Sequence, residues 1–178
     1  MAKKQSGRLA LTGVTAALSL VFLPLTASPL ATAALAAAAG VCGIPVVMEA
    51  GKRAGLIQFV ATALLALWLV PTPQGKGMYI AFFGYYTVLK AWLVEKALPP
   101  IAEWGIKCAV FLAALAGGGW VLYRLLAPPI PDWFSGWMLP AGAALLCGVL
   151  AVYDRCLTGL VGLYATRLRP RLRGLFRF

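Results

Sequence analysis

Met78 to Lys96 reads MYIAFFGYYTVLKAWLVEK. The stretch is long and apolar enough to enter a bilayer, yet Lys90 lies inside the apolar run with Tyr79, Tyr85, Tyr86 and Trp92 around it. A lysine at the centre of a spanning helix costs about 2.5–3.5 kcal/mol on insertion scales. Such a residue is paired, functional, or near enough to an interface to reach water. If Met78 is at the outer boundary, Lys90 is roughly 18 Å deeper along a helix. In a hydrocarbon core of about 30 Å, roughly 12 Å then remain to the inner side. A lysine stem can cover part of that distance by snorkelling. Three readings stay open: snorkelling, pairing with Asp154 or Glu49 at inner helix ends, and a direct role with a solute or proton. Tyr79, Phe82, Phe83, Tyr86 and Lys90 follow helical spacing on one broad face, which either packs or lines a cavity.

The same apolar character runs through the whole chain. It has 178 residues, 62% of them hydrophobic, against about 45–50% in soluble globular domains. A water-soluble fold of this composition would expose large apolar patches and aggregate, so lipid is the solvent that suits it. The net charge is +11, with 16 basic and 5 acidic residues. The basic residues cluster at the ends of apolar runs, a pattern of membrane topology and anionic lipid rather than of nucleic-acid binding.

Six apolar segments follow, at about Leu9–Ala27, Leu30–Met48, Gly55–Val70, Met78–Lys96, Lys107–Leu126 and Trp137–Tyr153. Turns at Ser28-Pro29, Pro71 to Gly75, Pro99-Pro100 and Pro128 to Pro131 separate several of them. Backbone polar groups in lipid must be satisfied within the segment, so the segments are helices. The expected fold is an all-α integral membrane protein of six transmembrane helices. Lys3, Lys4, Arg8, Lys52, Arg53, Lys96, Lys107, Arg155 and the five tail arginines fall on one side; Lys76 and Arg124 fall on the other. This bias predicts both termini in the cytoplasm. The N-terminal run resembles a signal peptide, but the apolar sequence beyond Pro24 and Pro29 favours an uncleaved first span.

Residues 1–166 form the expected membrane domain, and 167–178 a basic cytoplasmic tail. In the tail Leu168, Leu172, Leu175 and Phe176 share one helical face, flanked by Arg167, Arg169, Arg171, Arg173 and Arg177. That is the pattern of a short amphipathic helix on a lipid surface. The four cysteines form no CxxC pair, there is no histidine, and no phosphate loop or nucleophile motif appears. The expectation is a protein that is no enzyme and holds no cofactor or metal.

The segment Arg8-Leu9-Ala10-Leu11-Thr12-Gly13-Val14-Thr15-Ala16-Ala17-Leu18 resembles the first helix of the substrate-binding S component of energy-coupling-factor vitamin transporters. Phe83-Gly84-Tyr85-Tyr86 followed by Lys90 also looks like a group of Firmicutes-type membrane proteins related to those components. The resemblance implies a bacterial plasma membrane. It also implies capture of a vitamin-like small solute or metal ion, and a coupling transmembrane subunit with ATP-binding subunits as partners. By that match Ala10, Gly13 and Ala17 would be the partner-docking positions. Gln74, Tyr79, Tyr123, Asp132 and Trp133, in the expected outer half, would be the ligand candidates. Lys90, Glu49 and Asp154 are the intramembrane charges to explain. Two further classes remain: a structural membrane subunit of an envelope assembly, and a stand-alone ion-coupled carrier working through Lys90.

Overall fold

The computed structural model describes residues 2–28, 31–96, 99–126 and 138–170. The chain divides into two compact units, one of residues 1–97 with 157–178 and one of residues 98–156. Five helical stretches among the described residues are long and apolar enough to cross a membrane: Ser6–Leu25, Thr32–Glu49, Lys52–Leu69, Pro100–Gly118 and Ala141–Leu168.

In the first unit, α1 (Ala2–Leu25) packs on α2 (Thr32–Val41) and on α4 (Lys52–Leu69). Between them α3 (Ile44–Glu49) restarts the second apolar run after a break at Cys42-Gly43. The break has a local cause. Pro45 has no N–H and cannot continue the ladder, but it is tolerated in the first turn of a new helix. Gly51, at φ 90°, then turns the chain into α4, a conformation that favours glycine.

Residues 73–95 are helical throughout, as α5 (Pro73–Met78), a five-residue π turn (Tyr79–Phe83) and α6 (Gly84–Glu95). This fourth apolar run is not among the five, because Lys90, Glu95 and three tyrosines lower its hydropathy. The second unit contains α7 (Pro100–Leu126) and the first part of α8 (Met138–Leu163). Pro100 opens α7 rather than sitting in a loop. Past α8 the chain stays helical through a second π turn (Tyr164–Leu168) to residue 170, so the expected boundary at 166/167 falls inside continuous helix. Residues 171–178, most of the expected amphipathic tail, lie outside the described residues.

The first unit has an apolar interior and an apolar outer surface as well. The interior cluster is Leu23, Ala39, Ala66, Val70 and Tyr79. Around it are buried hydroxyls and amides: Thr15, Ser19, Thr26, Gln58, Thr62 and Thr87. Meanwhile Leu9, Ile57, Leu64 and Trp68 point outward, Trp68 with 92% of its surface exposed. Lipid is the solvent such a surface fits, and small or hydroxylated residues at helix contacts are how helices associate without a hydrophobic driving force. Ser19 is the clearest case. It sits on α1 and donates its hydroxyl to the Ala39 carbonyl of α2 at 2.9 Å. Gly40 lets α2 approach the π turn: a Cβ there would meet the Phe83 carbonyl oxygen at 2.5 Å.

Candidate functional site

Thr87, Lys90, Ala91 and Val94 recur at three- and four-residue intervals, so they line one face of α6. Opposite them stand Ile44, Val47 and Met48 of α3, and Leu157 and Val161 of α8. Together these nine residues line a half-open cavity of about 280 Å³. Its walls are aliphatic apart from Thr87 and Lys90, the one charged residue of the lining. Lys90 is half-buried and donates from Nζ to Thr158 Oγ1 at 2.5 Å. Glu49 immediately follows the cavity residue Met48, and its Oε1 accepts from Arg169 Nε at 2.7 Å, with the Glu49 side chain only 6% exposed. The arrangement offers a hydrogen-bonded ammonium in an apolar shell beside an ion pair whose carboxylate is buried. It can neutralise and orient an acidic or polar group of a small molecule whose remaining surface is apolar.

Both carboxylates at the inner helix ends carry an ion pair within their own unit. Glu49 binds Arg169, and in the second unit Asp154 accepts from Lys107 at 3.1 Å. Lys107 is buried and also pairs with Glu103 one turn earlier, at 2.5 Å. Thr158, Arg169 and Lys107 were not singled out as site residues from sequence. The available signal was their position within apolar helix, where a polar side chain needs a partner.

Tyr79 is 2% exposed and belongs to the interior cluster, against Phe59, whose ring centroid lies 6.0 Å away. Gln74 is exposed near the start of α5. Tyr123 belongs to α7 and its side chain lies outside what is described; Asp132 and Trp133 lie outside the described residues altogether. Ala10, Gly13 and Ala17 are all exposed on one face of α1, and a Cβ at Gly13 would meet nothing within 4 Å. Among the described residues no group of three His, Cys, Asp or Glu side chains is placed to hold a metal ion. No family model, curated protein or solved structure matches the chain.

Proposed function

We propose that the chain is a multi-pass protein of a bacterial plasma membrane that binds a small solute and works with a coupling membrane subunit and its ATP-binding subunits. It is a binding subunit on this reading, not an enzyme. Residues 73–95 would make a sixth crossing, and both termini would be cytoplasmic, as the distribution of Lys and Arg favours. The carrying observation is the cavity of about 280 Å³ with Lys90 as its single charged lining residue. Ligand sites are mostly apolar hollows with a few placed polar groups, and this one has that composition. The solute class that suits it is a small molecule with one acidic or strongly polar group and an aliphatic or aromatic body. In this orientation the cavity lies toward the cytoplasmic ends of α3 and α6, the side to which an importer delivers. The exposed small face at Ala10, Gly13 and Ala17 suits close approach by a partner helix.

A second reading, a structural subunit without a solute, draws support from Tyr79, which is packed into the interior cluster rather than facing open space. Purification in mild detergent, with mass spectrometry of everything that co-elutes, separates the two. The importer reading expects ATP-binding subunits, a coupling membrane subunit and a small molecule that is lost from a folded Lys90→Met variant. Recovery of envelope-assembly proteins, or of lipid alone, would overturn it in favour of the structural reading.

A further inference from the structure

A second hollow opens between α4 and α6, on the opposite flank of α6 from the Lys90 cavity. Lys52 and Arg53 begin α4, and Trp92, Glu95 and Lys96 end α6. The hollow has a volume of about 410 Å³, with Lys52 and Arg53 at one end and Leu56, Tyr85, Val88 and Trp92 along its length. Its apolar walls are turned outward: Leu56 is 50% and Trp92 42% exposed. Glu95 is bonded to Lys52, Lys96 lies over the Trp92 ring at 4.2 Å from its centroid, and Arg53 is exposed. Among the described residues Arg53 has no ion-pair partner. Three cations against one carboxylate leave the rim positive.

A greasy channel with a cationic rim fits a molecule with an anionic head and a long apolar body. A neutral lipid would leave the cations unused, and a soluble anion would leave the channel empty. A second copy of this chain, at net charge +11, would bring more positive charge to a positive rim. Basic pockets between transmembrane helices on the cytoplasmic side are lipid-headgroup sites by the same physics. We propose that the α4–α6 groove holds one anionic glycerophospholipid of the cytoplasmic leaflet. Its phosphate lies among Arg53, Lys52 and Lys96, and one acyl chain runs along Leu56, Val88 and Trp92. The proposal uses none of the lining of the Lys90 cavity and stands whether or not a solute binds there.

Native mass spectrometry of the full chain tests it, with phosphatidylglycerol and phosphatidylcholine of identical acyl chains as probes. The expected result is one retained phosphatidylglycerol, preferred over phosphatidylcholine. Each cation near an anionic head contributes roughly fivefold to that preference. Arg53→Gln should therefore lower it about fivefold, and Arg53→Gln with Lys96→Gln about 25-fold. Both side chains are exposed, so the variants should melt like the wild type in phosphatidylcholine, and Lys76→Gln, outside the groove, should leave the preference intact. Equal retention of the two lipids overturns the proposal, as does an unchanged preference in the folded double variant. A chain dimer in place of the lipid adduct overturns it, and so does retention of inorganic phosphate with no need of acyl chains.

Discussion

Gly40 and Gly13 are the same residue in the same kind of apolar helix, and the packing gives them opposite roles. At Gly40 a methyl group would run into the Phe83 carbonyl, which is backbone and cannot swing aside. Overpacking of this kind costs about 1–3 kcal/mol. Gly40→Ala should therefore destabilise the protein by about that amount in a detergent unfolding titration. At Gly13 there is open space, and alanine is the better helix former by roughly 1 kcal/mol. Gly13→Ala should leave stability unchanged or raise it slightly. Equal effects at the two positions would mean that α2 and the π turn do not approach as described. Lys90 makes the same point about legibility. Its oddity is plain in the sequence, but Ile44, Met48, Leu157 and Val161 are ordinary aliphatic residues in ordinary apolar runs. Nothing in their local spacing marks them as walls of one cavity, because chain segments far apart in sequence bring them together.

The last helical stretch shows why a span read from hydropathy can end too soon. Asp154-Arg155 looks like a terminus, and the sixth apolar segment was expected to stop at Tyr153. The helix instead continues, with Asp154 paired to Lys107. Further along the same stretch Arg169 reaches Glu49. That ion pair is lopsided: the Glu49 side chain is 6% exposed and the Arg169 side chain 36%. Removing one partner of a buried pair strands the other, at about 3–5 kcal/mol when both are fully buried. Because Arg169 is partly solvated, Arg169→Gln should cost less, about 1–3 kcal/mol, through the stranded carboxylate. Glu49→Gln should be milder, since it leaves a guanidinium that can reach water. The double variant should recover part of the Arg169→Gln loss. Unfolding midpoints of the three variants check the order; a milder effect for Arg169→Gln than for Glu49→Gln would contradict it. The π turn at Tyr79–Phe83 and the break at Cys42-Gly43 were equally hard to foresee. Periodicity assumes about 100° per residue, and both features interrupt that count.

At the scale of the chain, the presence of several helices apolar and long enough to cross a membrane was legible because it is written in composition and in the ends of apolar runs. The buried hydroxyls and outward leucines repeat it in the structure. Orientation is a claim about whole segments, and chemical labelling tests it. With all four cysteines replaced by alanine, Lys96→Cys, exposed just past the end of α6, should react with a membrane-impermeant maleimide only after the cells are opened. Gln74→Cys, on the same cysteine-free background, should react in intact cells. The reverse pattern would invert the topology, and labelling of both in intact cells would remove the crossing assigned to residues 73–95.

The π turn has a consequence for how this chain tolerates change. It holds one residue more than an α-helix needs, and the wide turn absorbs that residue in place of a full step of about 100°. The turn opens with Tyr79, packed into the interior cluster, and the helix beyond it presents Lys90 to its cavity. Losing a single residue within the turn would tighten it to α geometry and leave the downstream face nearly where it is. A deletion between Gly84 and Lys90 has no such slack and would swing everything beyond it by about 100° about the helix axis. The turn is thus a place where the chain can change length by one residue while the lysine keeps its bearing.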